Sequence, residues 1–403
     1  MVEVKKVEKQ NFSAPLLGSN FASVFGEGIY HFALNWFLVA SFGNAKILGW
    51  LTGFGFLVFM ACDLVVGILL DRYNRKYLLA GADLIGGIFI MGLAFVLNPN
   101  QPQIWVLFLV TLVLNVDISF AYPAGRTLLP DVIKPERVPV VNAMISMAFT
   151  TGQALGPLAG GFLMAFKWMN LRDFLLIYSG LLILTAGINA LIKYRPDSGQ
   201  SVKEPMWRGI VAGGKYVLNT PQLLESMLIA MWSNFFFEGF LVITPYLIQK
   251  VYGGTAGSYS KMLSFAAIAG LLMGLLLSRI PKLNQIKTLY VDLSLLGVAY
   301  LCAAIFPSLP VLAGVVVLSG AVRAATTVKV NTTNQQTSSR EFLGRVMSIT
   351  FFSIDLWVPL IVILVGYLVE PLGSSILYGF GGLLLIGIWS IFAFTWRQKR
   401  HAI

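Results

Sequence analysis

Twelve apolar segments, each long enough to cross a lipid bilayer as a helix, leave this chain few ways to fold. Their centres fall near residues 28, 58, 88, 114, 152, 182, 236, 268, 296, 319, 355 and 385. A hydrocarbon core of ~30 Å needs about 20 apolar helical residues to span it. Lipid offers no partner to an unpaired peptide group, so such segments cross as helices. Composition agrees, with 57% hydrophobic and 12% charged residues, against roughly 25% charged in soluble domains. The 39 glycines and 13% aromatic residues suit helices packed closely in a membrane. The expected fold is an all-α polytopic membrane protein with twelve transmembrane helices.

The net charge of +11 is distributed unevenly. Of the 29 Lys and Arg, 22 fall in the N-terminus and the loops on its side. The opposite side holds Lys46, Lys167, Arg172, Lys250 and Lys261, while Arg323 and Lys329 lie within or at the end of the tenth span. The positive-inside rule then places both termini of a multi-pass membrane protein in the cytoplasm. The basic excess reads as an orientation signal aided by anionic lipid, not as a nucleic-acid surface. Lys5, Lys6 and Lys9 run directly into a full-length span, so no cleaved leader is expected. Cys62 and Cys302 sit inside apolar segments and outside any C-x-x-C, which argues against a disulfide or a thiolate metal site. The two histidines, His31 and His401, form no zinc motif, and no Walker A pattern occurs. No nucleophile–base constellation appears either. The expectation is therefore no enzyme, no metal and no cofactor.

The longest polar stretch, Lys193 to Pro221, lies near the middle of the chain. It divides an N-terminal six-helix bundle (1–195) from a C-terminal one (222–403). The linker (196–221) carries an interfacial helix around Trp207 to Leu218. Echoes connect the halves. Glu27-Gly28 recurs as Glu238-Gly239, and Gly67-x-x-x-Asp71-Arg72 as Gly274-x-x-x-Ser278-Arg279. Gln153 and Pro157 align with Asp355 and Pro359, and Ser146 with Ser348. Matching helix rank and a slowly drifting offset support a duplication, hence two pseudo-symmetric six-helix bundles. Parallel repeats place a substrate site near mid-bilayer where they meet.

Two motifs narrow the class. Gly67-Ile-Leu-Leu-Asp71-Arg72-Tyr73-Asn74-Arg75-Lys76 joins helices two and three. It resembles the G-x-x-x-D-R-x-G-R-K/R loop that marks the major facilitator superfamily. By that resemblance, Gly67, Asp71, Arg72, Arg75 and Lys76 form a cytoplasmic latch that clasps the halves. Asn74 replaces the usual glycine and, like it, tolerates a left-handed turn. Gly152-Gln-Ala-Leu-Gly156-Pro157-Leu-Ala-Gly160-Gly161 resembles the antiporter signature in the fifth helix of exporters of that superfamily. Its glycines are expected to pack closely against the other half. Tyr122 to Asp131, Arg137, Asn142 and Leu343 to Ser348 look like the macrolide-efflux branch of drug:proton antiporters.

Ionisable groups inside a span are functional candidates by default. Glu27, His31 and Asn35, spaced i, i+4, i+8, form one polar stripe on helix one. Asn234 and Glu238 form a shorter one on helix seven, and Gln153 and Asp355 hold equivalent places on helices five and eleven. In the resembling fold, the Glu27 and Glu238 stripes face each other across a central cavity. An acid that loads a proton on one side and unloads it on the other meets the requirement of proton-coupled antiport. Glu27 is the first candidate, tuned by His31, followed by Glu238 and Asp355. Trp36, Trp232, Phe235, Phe236, Phe237 and Trp357 are candidates for an aromatic drug pocket. Asp63 and Asp83 are assigned to the latch network, and Asp117 and Arg126 to cross-helix pairing.

The resulting expectation is a monomeric secondary transporter. It exports hydrophobic or amphipathic drugs or metabolites, macrolide-like or cationic, by alternating access, with the proton gradient as energy source. Its partners are a small hydrophobic substrate, protons and membrane lipids. Two alternatives stay open: an exporter or flippase of an endogenous amphipath such as a siderophore or lysolipid, and a non-transporting receptor or immunity factor on a transporter scaffold.

Overall fold

The structure, a computed structural model, describes residues 10–99, 101–166, 168–194, 213–339 and 342–401. The side chains of some helical residues, among them Asp63, Gly67, Asp71, Arg72 and Arg126, lie outside the described set. The helices in chain order are α1 (Ala14–Phe42), α2 (Lys46–Arg72), α3 (Arg75–Val96), α4 (Ile104–Val132), α5 (Val138–Met164) and α6 (Leu171–Ala190). There follow α7 (Pro221–Tyr246), α8 (Ala256–Arg279), α9 (Leu289–Ile305), α10 (Leu309–Thr337), α11 (Leu343–Asp355), α12 (Val358–Leu372) and α13 (Ile376–His401). Among the described residues, eight helical stretches are long and apolar enough to cross a membrane, and Lys46–Cys62 is a shorter apolar one.

Local chemistry explains where these helices start and stop. Asn170 and Asp173 form a reciprocal capping box on α6. Asn170 Oδ1 accepts from the Arg172 amide at 2.9 Å, and the Asn170 amide donates to Asp173 Oδ2 at 2.8 Å. Thr255 caps α8 through Ser258 N at 3.2 Å. Asn74 caps α3, its Oδ1 accepting from Lys76 N at 3.1 Å. Its φ of −67° is extended, so the asparagine stands in the latch loop as a cap, not as the left-handed turn the sequence suggests. The eleventh span, expected as one helix, is two. α11 ends at Asp355 and α12 begins at Val358, because Pro359 lacks an N–H and its ring crowds the preceding turn. Of the expected linker, residues 196–212 lie outside the described residues, whereas 213–218 are helical.

The chain divides into two compact units, 1–37 with 54–201, and 38–53 with 202–403. In the first, α3 packs against α6 and α4, and Ile29 and Ala33 of α1 pack with Phe174 of α6. In the second, α10 packs on α8, and α9 on α13. The small segment 38–53 groups with the second unit because glycines allow direct backbone contact. A Cβ on Gly49 would stand 2.5 Å from Val362 O, and one on Gly366 2.9 Å from Ala45 O. Lys46 pairs with Glu370 at 2.7 Å, and Trp50 Nε1 donates to Tyr367 Oη at 3.1 Å.

Candidate functional site

In the first unit, Glu27, His31 and Asn35 lie half-buried along one side of α1. Tyr30, Phe32 and Ala33 on its other side are buried. His31 Nε2 stands 3.7 Å from Glu27 Oε1, one helical turn away. The polar stripe therefore exists as a stripe, with a histidine and an acid in direct contact.

The glycine run of α5 packs within its own unit. A Cβ on Gly156 would lie 2.8 Å from Gly28 Cα, one on Gly152 3.1 Å from Phe25 N, and one on Gly160 2.6 Å from Phe32 Cδ1. The run thus seats α5 on α1. The physical reason is the matching small residue on α1, Gly28, which lets the two backbones touch. Pro157 sits inside α5 without ending it. Gly161 and Gln153 lie on the same helix, and Gln153 is exposed.

The latch is described only in part, since Gly67, Asp71 and Arg72 have side chains outside the described residues. Arg75 Nη1 donates to Asp131 Oδ2 at 2.7 Å, which ties the start of α3 to the end of α4. Lys76 stands over the Tyr77 ring at 5.8 Å. Asp83, expected in the latch network, has its described partners elsewhere. Two turns further along α3 it is buried, and its Oδ2 accepts from Asn189 Nδ2 of α6 at 2.7 Å. Its other neighbour is the carboxyl of Asp117 on α4, also buried.

In the second unit, Glu238 is buried and its Oε1 accepts from Arg323 Nη2 at 2.5 Å. The Arg323 guanidinium also stands 5.9 Å from the centre of the Phe237 ring. Arg323 edges a cavity of about 110 Å³ between α7, α8 and α10, with Phe237, Phe240, Thr244, Leu263 and Ser319 on its walls. Asn234 Nδ2 donates to Ile354 O at 3.3 Å, joining α7 to α11. Asp355 at the end of α11 is half-buried and Trp357 is exposed. Trp232 is committed to packing: its Nε1 donates to Leu384 O at 3.4 Å and its ring covers Gly387 of α13. Lys329, fully buried on α10, forms an ion pair with Asp292 of α9.

Sequence reasoning missed two clusters here, Asp83–Asp117–Asn189 and Asp292–Lys329. Polar residues within apolar segments were the available signal, but their pairing across helices was not legible.

Residues 16–361 match the Major Facilitator Superfamily. The chain belongs to that superfamily. Macrolide efflux protein A of Streptococcus pyogenes is 22% identical over 376 residues, covering 91% of each chain. Among solved structures, the nucleoside transporter NupG superposes with a TM-score of 0.76 at 14% identity, covering 94% of this chain and 98% of its own. A bacterial homologue of the human lysosomal transporter Spinster, in an inward-facing, occupied state, gives 0.70 at 17% identity over 96% of each chain. The chain is thus a multi-pass membrane transporter of major-facilitator fold.

Proposed function

We propose that the chain is an exporter of hydrophobic or amphipathic compounds, macrolide-like or cationic, driven by exchange with protons. The observation that carries this reading is the similarity to macrolide efflux protein A across 91% of both chains. In this reading twelve helices span the bacterial cytoplasmic membrane as two six-helix bundles, with both termini in the cytoplasm. The close seating of α5 on α1 through Gly28 and Gly156 supports a tight helix pair behind the polar stripe. The Glu27–His31 contact supports proton exchange. Glu27 keeps 22% of its side chain accessible, so water can deliver and remove a proton there. A carboxyl alternately open to two compartments changes its proton affinity with its surroundings. The proton gradient then supplies the energy and no cofactor is needed. The chain acts as a monomer.

The test is efflux of ethidium and of a macrolide from liposomes holding the purified protein under an imposed pH gradient. Native protein is expected to expel at least one of them only while the gradient lasts, and Glu27→Gln to lose that dependence. Native protein that moves neither compound under the gradient would sink drug export.

A further inference from the structure

The first unit buries two carboxyl groups side by side, on α3 and α4, with the Asn189 amide as a donor to one of them. Asp83 is 1% exposed and Asp117 3% exposed. Asn189 Nδ2 donates to Asp83 Oδ2 at 2.7 Å, whereas Asp83 Oδ1 and Asp117 Oδ1 meet no donor. Among the described residues, no Lys or Arg pairs with either. Gly86, one turn beyond Asp83 on α3, lies against Asp117: a Cβ there would be in ordinary contact with Asp117 Cβ at 3.7 Å. Asp117 borders a groove of about 520 Å³ between α3 and α4, whose other walls include Ile85, Phe89, Val113 and Phe120.

Two ionised carboxylates buried in contact and, among the described residues, without a cation repel one another and lose hydration. A single proton removes the conflict. It makes one carboxyl a donor to the other and satisfies both orphaned oxygens, as in carboxyl dyads that share a proton. We propose that Asp83 and Asp117 form a shared proton-binding site that the transport cycle loads and empties, with Asn189 as its positioning residue. This rests on the proton-coupled reading above. The groups that face Asp117 from the neighbouring helices are Tyr178 of α6, Glu27 of α1 and, around Tyr178, Tyr30 of α1. Glu27, the accessible acid, is close enough to act on Asp117 electrostatically.

The first measurement is the infrared carbonyl band of a neutral carboxyl in the purified full-length protein at neutral pH. Subtracting the spectrum of Asp83→Asn/Asp117→Asn should leave one such band, and Asp117→Glu should move it. Absence of a difference band overturns the proposal. The second is gradient-driven efflux in liposomes. The double variant should lose it, and Asp117→Glu, which keeps a carboxyl, should restore part of it. A double variant that still couples efflux to the gradient overturns the role in the cycle. If the native protein shows no gradient-driven efflux, the exporter reading fails, and the infrared band alone decides whether the dyad holds a proton. If the double variant does not fold, the shift of the band in Asp117→Glu gives the same decision.

Discussion

The two units bury their acids differently. In the second unit Glu238 and Asp292 each face a cation, Arg323 and Lys329, while the buried Glu225 accepts from the Tyr290 hydroxyl at 2.9 Å. In the first unit Asp83 and Asp117 face each other and an amide. A charge pair of fixed partners is a structural element, because separating it leaves an uncompensated charge in a poor solvent. A carboxyl pair without a cation is instead balanced by a mobile proton. The contrast lies between clusters: the Glu238–Arg323 and Asp292–Lys329 pairs hold their charges in place, and the Asp83–Asp117 pair holds a charge that can leave.

Substitutions can break or sharpen this contrast. The largest effect is expected from Asp292→Asn, which strands the fully buried Lys329 ammonium. Loss of about 3–5 kcal/mol is expected, as when one partner of a buried pair is removed, read as a lower midpoint of thermal unfolding in detergent. Next is Gly320→Ala in α10, where the new methyl would stand 2.2 Å from Ala266 O. The backbone of α8 cannot yield as a side chain does, and a cost of roughly 1–3 kcal/mol is expected, with faster cleavage by protease as the readout. Asn74→Ala removes the cap of α3 and should cost about 1 kcal/mol. Faster hydrogen exchange confined to the first turn of α3 would identify it. Asp117→Asn makes the sharpest comparison with Asp292→Asn. The same change of side chain should alter stability by less than about 1 kcal/mol, since it replaces one neutralised carboxyl with an amide that can still donate to Asp83. An unfolding midpoint as low as that of Asp292→Asn would erase the distinction between the clusters. Smallest is Lys46→Met. Lys46 and Glu370 keep 38% and 42% of their side chains accessible, so water screens the pair and the unfolding midpoint should hardly move. A titration of unfolding midpoint against salt should be nearly flat for both proteins.

Much of the scaffold was legible in the sequence, and particular residues show where legibility stopped. Apolar segment length locates helices well because a bilayer imposes it on every span. Pro359 nevertheless splits the eleventh span, a local steric event that hydropathy does not register. The stripe of Glu27, His31 and Asn35 follows from helical spacing alone, and the Glu27–His31 contact is an i, i+4 pair on one helix. Trp232 looked equally suited to a pocket or to packing, and only its bond to Leu384 O and the bare backbone of Gly387 assign it to packing. Asp83 was attached to the latch because it follows that motif closely in sequence. Two helical turns carry it away from Arg75 and toward Asn189, which is 106 positions distant in the chain.

By itself the sequence determined that the chain is a helical membrane protein of repeated halves and which superfamily it joins. Those properties depend on local composition and short motifs. The tertiary structure decided which helix the glycines of α5 touch, which acids receive a cation and which receive only each other. Such facts depend on the rotation of each helix about its axis and on its neighbours, and no single segment encodes either. The physics that makes them matter is the low polarity of the interior, where the identity of one nearby partner decides whether a carboxyl is a fixed charge or a carrier of protons.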